Sequence, residues 1–448
     1  MKLWQKENTK ISAKIEAFTI GRDAEMDLQL AQYDVIGSIA HAIMLEKVGL
    51  LNALDLQKLL PELQNLYGQI VEGQFEIKAG VEDVHSQVEM ILTENLGEIG
   101  KKIHSGRSRN DQVLVDLKLF FRDKIQEIVI LTKTVFESLQ SQSEATKAVL
   151  LPGYTHFQIA MPSSFGLWFG AYAEALVDDL ELFEAAYRLA NKNPLGSGAG
   201  YGSSFPLDRS LTTNLLGFES LHHNVVYAQM SRGKTEQYLA IAISQLAATI
   251  GRFAMDVCLY NSQNFGFIGL ADEFTTGSSI MPHKKNPDVA ELLRGKCNVL
   301  KALPTQVSNL LTNLPSGYHR EMQLLKEILF PAIDEIKNCL IITNDLINNI
   351  KVKNDLLSDE KYDLLFTVER VNELVINGMP FREAYQQVGK EINDGTYKRP
   401  NTLNHTHEGS IGNLQTVEIK SLFESVILKF NFETADKAVQ NLLNLKLH

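Results

Sequence analysis

Two long stretches without proline constrain the fold of this chain more than any other feature. The 448 residues include twelve prolines, but none lies between Pro61 and Pro152 or between Pro206 and Pro282. A proline inside a helix removes a backbone hydrogen bond and clashes with the preceding turn. These intervals therefore permit helices much longer than the average of about 11–12 residues.

Apolar residues along the chain recur in steps of three and four, which is the spacing of one face of an α-helix. A pattern of this kind that continues over about three heptads is typical of helices packed in a bundle. No regular alternation of strands and helices accompanies it, so we predict an all-α fold with a central bundle of long helices. The three clearest series are Val113, Leu117, Phe120, Ile125, Ile128, Val135 and Leu139; Phe165, Phe169, Tyr172, Leu176, Leu180, Phe183 and Tyr187; and Leu239, Ile243, Leu246, Ile250, Phe253, Val257 and Tyr260.

Breaks in the helical pattern suggest three domains. The breaks fall near residues 100–110 and 352–362. We predict an N-terminal helical domain at 1–107, a central long-helix bundle at 108–357 and a C-terminal helical domain at 358–448. Long helices with extensive apolar faces often bury those faces between subunits, so the central bundle is the predicted core of a homo-oligomer.

The composition argues against several classes of protein. A formal net charge of −11 is unfavourable for a general nucleic-acid surface, and the small basic group at 101–109 suits a small anion better. No apolar run reaches the roughly 18 residues that span a bilayer, and the first residues lack the apolar region of a signal peptide. The three cysteines show neither metal-ligand spacing nor a disulfide framework. We therefore predict a cytoplasmic protein without a membrane or nucleic-acid partner.

The most concentrated polar segment is residues 277–288, which read Gly-Ser-Ser-Ile-Met-Pro-His-Lys-Lys-Asn-Pro-Asp. Its two prolines prevent a regular helix through the segment, and its glycine allows the backbone to approach a ligand closely. Hydroxyl, ammonium and amide groups then remain to bind a small carboxylate. The plain alternative is a solvated turn that happens to carry two lysines.

Three further polar clusters interrupt the helical pattern, and each has a structural alternative. Residues 105–111 hold two arginines, a serine and an asparagine, which suit either a carboxylate or the capping of a helix. Residues 152–158 hold a threonine–histidine pair suited to acid–base chemistry, although a histidine beside an aromatic residue is more often structural. Residues 314–326 carry polar side chains at the start of a helix, which form either a binding edge or an ordinary surface turn.

Two other features do not support a cofactor or a metal. The glycine-rich run at 196–202 follows no predicted strand and lacks the spacing of a nucleotide-binding loop, so we interpret it as a turn where backbones approach closely. The pair His222 and His223 has no third ligand nearby in the sequence. We predict no cofactor and no metal.

Taken together and in this order, the four polar clusters resemble the fumarase/aspartase superfamily, and within it the argininosuccinate lyases. The resemblance covers about residues 34–389, and the 277–288 segment is its most specific part. It implies an all-α homotetramer with each active site assembled from three subunits. It also implies reversible cleavage of argininosuccinate to arginine and fumarate, without cofactor or metal, in arginine biosynthesis. The segments that match this branch are 34–41, 105–111, 194–199, 207–209, 284–288 and 380–382.

The resemblance also implies roles for individual residues. Ser278 is the implied catalytic base, and Lys284 and Asn286 are implied to stabilise an aci-carboxylate intermediate. Thr155 and His156 are implied to lie on the other side of the substrate, with His156 as an acid or proton relay. The implied substrate-binding residues are Ser38, His85, Ser108, Arg109, Asn110, Ser279, Tyr318, Gln323 and Lys326.

The chain departs from the branch pattern in the shell expected around the arginine half of the substrate. The departures are Ile159, Met161, Ser231, Gly233 and His319.

Two alternative functions follow from the same scaffold. Adenylosuccinate lyases belong to the superfamily and are favoured by the Pro-His-Lys at 282–284. The Lys-Lys-Asn-Pro-Asp ending at 284–288 and the Ser-Gly-Arg-Ser-Arg-Asn run at 105–110 oppose them. A non-catalytic protein, as in lens crystallins, would be expected to lose the implied catalytic serine, histidine and lysine. All three are present.

Overall fold

The structure is a computed structural model that describes residues 13–78 and 80–447. It is mostly helical and confirms the predicted all-α class. The α-helices are α1 (Ala13–Ile20), α2 (Asp23–Leu28), α3 (Ala31–Lys47), α4 (Ala53–Val71), α5 (Val84–Leu96), α6 (Glu98–Lys101), α7 (Arg109–Ala145), α8 (Phe165–Ala190), α9 (Arg209–Leu215), α10 (Val225–Met230), α11 (Lys234–Asn261), α12 (Asp288–Leu300), α13 (Leu303–Leu310), α14 (Leu324–Asn349), α15 (Thr367–Ile376), α16 (Phe381–Asn393), α17 (Thr416–Leu428) and α18 (Phe432–Leu443).

Four long helices, α7, α8, α11 and α14, form the central bundle that the sequence predicts. The longest is α7, with 37 residues, which corresponds to about 55 Å at 1.5 Å per residue. The three apolar series lie on α7, α8 and α11, and nearly all of their members are buried. Aromatic side chains join the helices, as where Phe120 of α7 and Phe330 of α14 have ring centroids 4.3 Å apart.

Short strands occur in three two-stranded pairs, which the sequence analysis did not predict. They are β1 (Leu150–Thr155) with β2 (Gln158–Ser164), β3 (Lys192–Asn193) with β4 (Ser220–Leu221), and β5 (Ile268–Gly269) with β6 (Lys351–Val352). The first and last pairs are antiparallel and the second is parallel.

The chain direction places different loops at opposite ends of the bundle. Phe165, at the start of α8, donates its N–H to the carbonyl of Val149, just after the end of α7, so α8 returns antiparallel to α7. Tyr154 of β1 packs against Phe265 and Phe267, which follow α11, with ring centroids 5.6 and 6.4 Å away. The hairpin and the segment before residue 277 therefore share the end of the bundle where α7 finishes. The residues that precede α7 lie at the other end.

The segment Val225–Asn261, which contains α10 and α11, is long and apolar enough by composition to cross a membrane. An 18-residue window within it has a mean hydropathy of 1.3, and 56% of that window is buried inside the protein. A buried core helix passes the same test, and α11 packs against α8, α12, α13 and α14. We therefore interpret this segment as a core helix.

One apolar core runs through most of the described chain, and it includes side chains of α2 to α5 and of α17 and α18. A second, small core joins α15 and α16 around Val371, Ala384 and Val388. The C-terminal helices return to the body, since α17 packs on α8 and α18 packs on α3 and α9. The domain limits at 107/108 and 357/358 stay a prediction.

The crossing of α7 and α8 offers a stability test at Gly166. A Cβ atom there would meet the Lys147 Cα at 2.7 Å and the Ser143 carbonyl oxygen at 2.9 Å. We expect Gly166→Ala to lower the free energy of unfolding by about 1–3 kcal/mol, because backbone atoms must move apart. Gly68→Ala in α4 is the control, since nothing lies within 4 Å of its Cβ position. Urea unfolding should show no loss of stability for that control; equal loss in both variants would contradict the argument.

Candidate active site

A charged cavity of about 170 Å³ lies at the end of the bundle where α7 begins. Residues from α2, α5, the start of α7, and the segment that leads into α14 meet there. Six of the nine predicted substrate-binding residues line it. These six are His85, Arg109, Asn110, Tyr318, Gln323 and Lys326.

Arg109 is held by acidic groups that the sequence analysis did not identify. Its Nη1 atom lies 2.8 Å from Glu82 Oε2 and 3.3 Å from Asp83 Oδ2. Its Nη2 donates to Ser86 Oγ at 2.6 Å. The guanidinium is therefore fixed in orientation at the edge of the cavity before any substrate arrives.

Lys326 is buried and already has two carboxylate partners. Its Nζ lies 2.6 Å from Asp23 Oδ1 and contacts Asp27 as well. The same region is closed by the last turn of α1, because the Thr19 carbonyl accepts hydrogen bonds from Arg320 at 3.3 Å and Gln323 at 3.1 Å. The first helices thus form one wall of the cavity.

His85 is buried between two carboxylates. Its Nδ1 lies 2.8 Å from Asp34 Oδ1 and 3.6 Å from Asp116 Oδ2. Burial acts to lower the pKa of His85, but the charge and hydrogen bond of Asp34, with the charges of Asp116 and Asp83, raise it from 6.5 to about 10. His85 is therefore an imidazolium at neutral pH and presents a positive charge to the cavity.

These three residues are also spaced closely enough to hold a metal ion. The imidazolium and the nearby guanidinium of Arg107 already offset the charges of Asp34 and Asp116. The arrangement thus has an explanation without a metal, and the expected absence of one stays a prediction.

The raised pKa of His85 predicts how stability depends on pH. Because the folded-state pKa lies above the ordinary 6.5, protonation favours the folded chain. This contribution is present in full below about pH 6.5 and is lost as the pH rises through about 10. We expect the stability difference between the unchanged protein and His85→Gln, measured by denaturant unfolding, to shrink over that range. Replacement of the exposed His223 by glutamine should cause no such change, and a difference for His85→Gln that grows with pH would contradict the assignment.

The start of α7 is anchored by the glycine-rich run. Ser108 caps the helix, and Asp111 accepts the Ser108 N–H at 2.7 Å. The other carboxylate oxygen of Asp111 accepts the N–H groups of Gly196 and Gly198, each at 2.9 Å. The glycine-rich run thus lies against the first turn of α7, next to Arg109 and Asn110.

Ser108 and Ser38 lie behind the cavity rather than on its lining. Ser108 uses its hydroxyl to accept the Asn110 N–H at 3.3 Å. Ser38 is fully buried and accepts a hydrogen bond from Arg107 Nη1 at 2.9 Å. Contact of Ser38 with a substrate would require that bond to be exchanged, so its predicted role stays a prediction.

The 277–288 segment lies before α12 at the other end of the bundle and carries Ser278, Ser279, Lys284 and Asn286. Thr276 and Asn286 pair across its base through two backbone hydrogen bonds of 3.0 and 2.8 Å. The hydroxyl oxygen of Ser278 accepts N–H groups from Met281 at 3.1 Å and Ile280 at 3.4 Å. Two N–H donors on one hydroxyl oxygen would stabilise negative charge there.

Thr155 and His156 lie at the tip of the β1–β2 hairpin. The two turn residues, His156 and Phe157, have φ angles of 54° and 59°. This backbone is the left-handed one that two-residue hairpin turns need, although asparagine and glycine usually supply it. The strained turn projects His156 into solvent, and Phe157 is 80% exposed.

One chain therefore does not bring all the predicted site residues together. The cavity lies at the start of α7, whereas Ser278 and His156 lie at the end where α7 finishes. The length of α7, about 55 Å for its 37 residues, separates the two groups.

Two of the departures from the branch pattern, Ser231 and Gly233, flank Arg232, and each has a local structural reason. Gly233 precedes α11 with a φ of 83°, and a Cβ there would meet Leu311 Cδ2 at 2.5 Å. The Gly233 N–H donates to Glu236 at 2.6 Å, and Ser231 donates to the Ala228 carbonyl at 2.8 Å. Arg232 lines the cavity and was missed as a candidate, although the sequence analysis singled out both of its neighbours.

Four of the other missed residues are acidic, since Asp23, Asp27, Glu82 and Asp83 line the cavity. Nothing in their local sequence distinguishes them from surface carboxylates. Their role depends on contacts with cationic groups far along the chain.

Comparison with known proteins now decides the family. A family model described as "Lyase" matches residues 9–300. The argininosuccinate lyase of Parabacteroides distasonis is 58% identical over 443 residues, which are 99% of each chain. The chain belongs to the argininosuccinate lyase family. Relatives with the same name in Bacteroides thetaiotaomicron (57% identity, 98% of this chain and 99% of that one) and Thermotoga neapolitana (40%, 87% and 98%) agree.

Solved structures confirm the fold of this argininosuccinate lyase family member. EDDS lyase in complex with formate has a TM-score of 0.74 at 19% identity, covering 97% of this chain and 94% of that one. Class II fumarase from Schistosoma mansoni has a TM-score of 0.68 at 16% identity, covering 88% and 96%. The protein is a lyase of the fumarase/aspartase superfamily.

Proposed function

We propose that this protein is a carbon–nitrogen lyase that reversibly cleaves argininosuccinate to L-arginine and fumarate in arginine biosynthesis. The observation that carries the proposal is the 58% identity, over 99% of both chains, to a protein named argininosuccinate lyase. The cavity supports it, because its fixed cations and carboxylates suit a substrate that bears several carboxylates and a guanidinium group.

The proposed chemistry begins at Ser278. Its hydroxyl, as alkoxide, takes a proton from the carbon next to a succinyl carboxylate, and the electron pair moves into that carboxylate to form an aci-carboxylate. The electron pair then returns to form the double bond of fumarate while the carbon–nitrogen bond breaks. The Ile280 and Met281 N–H groups that reach the Ser278 oxygen support this role, since they stabilise its anion.

The remaining residues either stabilise the intermediate or contact the substrate. Lys284 and Asn286 stabilise the aci-carboxylate, Thr155 contacts the substrate, and His156 acts as an acid or relay for the leaving nitrogen. We propose substrate contacts for Ser38, His85, Ser108, Arg109, Asn110, Ser279, Tyr318, Gln323 and Lys326.

We also propose that the protein is a homotetramer whose sites are shared between subunits. The separation of the cavity from Ser278 and His156 by about 55 Å of helix supports sharing, because one chain alone cannot complete a site. Exposed apolar side chains on α12, with Leu292 65% and Val299 70% exposed, support further contacts between chains. We also propose domain limits at 107/108 and 357/358, and a cytoplasmic location.

The deciding experiment is an ultraviolet assay of fumarate formation from argininosuccinate, with arginine measured in parallel. Fumarate with an equal amount of arginine is the expected result. If a folded oligomer releases fumarate from adenylosuccinate but not from argininosuccinate, the proposal is wrong and the alternative from the same superfamily replaces it. Release of fumarate from neither substrate would also overturn the proposal.

A further inference from the structure

Another polar cavity, of about 300 Å³, lies between α3, α4, α7 and α18, and we call it the α18 cavity. The part of its wall that belongs to α7 is one face of that helix, formed by Leu119, Arg122, Asp123 and Gln126. Asp123 follows Arg109 of the candidate active site by 14 positions, which is about 20 Å along the helix. The α18 cavity is therefore a separate place in the fold from the proposed substrate site.

Arg122 is the buried cation of the α18 cavity. It is 4% exposed, and its Nη atoms donate to neutral oxygens, which are Asn191 Oδ1 at 3.3 Å, the Gly217 carbonyl at 3.2 Å and the Leu216 carbonyl at 3.1 Å. Its Nε is buried and has no hydrogen-bond partner among the described residues. A buried guanidinium donor is costly to leave unpaired, so its position in a cavity wall indicates a missing acceptor. The acceptor that matches a guanidinium best is a carboxylate.

A structural role accounts for only part of this arrangement. Leu216 and Gly217 directly follow α9, so the Nη atoms of Arg122 bind carbonyls at a helix C-terminus, where a cation is favourable. The ring of Phe218 covers the guanidinium at 4.5 Å. Burial nevertheless lowers the pKa of Arg122 from 12.5 to about 10, because the surrounding groups compensate its charge incompletely. These contacts fix the orientation of the guanidinium and leave its Nε for a ligand.

Two carboxylates line the same cavity, Asp123 on α7 and Asp436 on α18. Asp123 accepts a hydrogen bond from the Tyr33 hydroxyl, and Asp436 accepts one from the Gln126 amide at 3.0 Å. Both donors are neutral, so neither removes the negative charge. The side chain of Asp123 is 45% exposed, whereas Arg122 is buried. The lining of the α18 cavity thus has a cation at its buried end, carboxylates toward solvent, and one negative charge in excess.

The ligand that fits this distribution of charge carries one carboxylate and two cationic groups. Its carboxylate accepts from Arg122 Nε, its cationic groups meet Asp123 and Asp436, and its net charge of +1 offsets the excess negative charge. Lys124 lies 3.5 Å from Asp123, but it also pairs with Glu127 and does not line the cavity. An α-amino acid with a cationic side chain has this set of groups. A cavity of about 300 Å³ has the size of a small-molecule site.

We propose that the α18 cavity binds a free α-amino acid with a cationic side chain, and that this ligand is arginine. Arg122 binds the α-carboxylate through its Nε, and Asp123 and Asp436 bind the ammonium and guanidinium groups. The site follows from these side chains alone. The choice of arginine over lysine rests on the proposed function, in which arginine is the product. The oligomer then binds its product at a place that does not compete with the substrate.

The test measures binding of labelled arginine to the whole oligomer by equilibrium dialysis. The Ser278→Ala protein is used, so that added argininosuccinate is not cleaved. The expected result is one class of arginine sites that argininosuccinate displaces and another that it does not. Argininosuccinate should spare the α18 cavity, because its two extra carboxylates would face Asp123 and Asp436. A single class of sites that argininosuccinate displaces completely would overturn the proposal.

Two substitutions assign the contacts, with agmatine and citrulline as competitors of labelled arginine. Agmatine lacks the carboxylate, and citrulline has a neutral side chain of nearly the same shape as that of arginine. Arg122→Lys should raise the dissociation constants of arginine and citrulline by about tenfold to a hundredfold and leave that of agmatine unchanged. Asp436→Asn should weaken arginine and agmatine but not citrulline. Equal weakening of all three ligands by either variant would show a general structural effect and contradict the inference.

Glu433→Gln is the matched control, because Glu433 is an exposed carboxylate on α18 that pairs with Lys437 and does not line the cavity. It should leave every dissociation constant unchanged, and a loss equal to that of Asp436→Asn would contradict the inference. If Arg122→Lys does not assemble, Asp436→Asn alone decides, since its residue lies on the surface. Failure of the proposed function is visible separately, as no fumarate from argininosuccinate with the unchanged protein.

Discussion

Replacement of Ser278 by alanine should lower kcat by about a thousandfold or more while leaving the fold and the oligomer intact. The proposed base supplies the oxygen that removes the proton, and that oxygen accepts the N–H groups of Ile280 and Met281. Removal of a group that acts in the transition state lowers kcat and kcat/KM together. Steady-state kinetics of fumarate release would give both values. Circular dichroism and light scattering would check the fold and assembly.

Two comparisons make this result specific. Ser262→Ala, in the segment between α11 and the 277–288 loop, should retain normal turnover. Exchange of the succinyl proton with deuterated solvent should be lost together with cleavage in Ser278→Ala, because both need the same proton transfer. If Ser278→Ala retained proton exchange or near-normal turnover, Ser278 would no longer stand as the base.

The helical body could be predicted because its signal is local. The apolar residues from Leu239 to Tyr260 recur every three or four positions. This spacing within one segment is enough to indicate a helix with one buried face. The hairpin escaped prediction for the opposite reason. Its strands pair Leu150 with Ser164, and its turn is formed by His156 and Phe157, which lack the asparagine or glycine typical of such turns.

The candidate site could be predicted only in part, for a similar reason. The residue types at Arg109, Asn110 and Lys326 already suggest binding of an anion. The partners that decide what each group is free to bind lie far along the chain, as with Lys326 and Asp27, which are 299 positions apart. No local pattern distinguishes a lysine that is enclosed by two carboxylates from one that is free for a substrate.

Dissociation of the oligomer is expected to lower activity strongly, because the site residues lie far apart within one chain. Dilution that dissociates the oligomer should abolish activity, because Arg109 and Ser278 lie at opposite ends of a bundle about 55 Å long. Turnover per chain should therefore fall with the oligomer fraction measured by light scattering, and should return when the protein is concentrated again. A monomer with full turnover would contradict the shared site.

Mixed oligomers provide the stricter form of this test. Ser278→Ala lacks the proposed base, and Asn110→Ala lacks a proposed substrate contact, so each variant alone should be nearly inactive. If a site takes these residues from different chains, random reassembly of an equal mixture leaves about one quarter of the sites with both intact. Activity near that fraction of the unchanged protein is the expected result. If both residues acted within one chain, every site would keep one defect, and the mixture would be as inactive as its components.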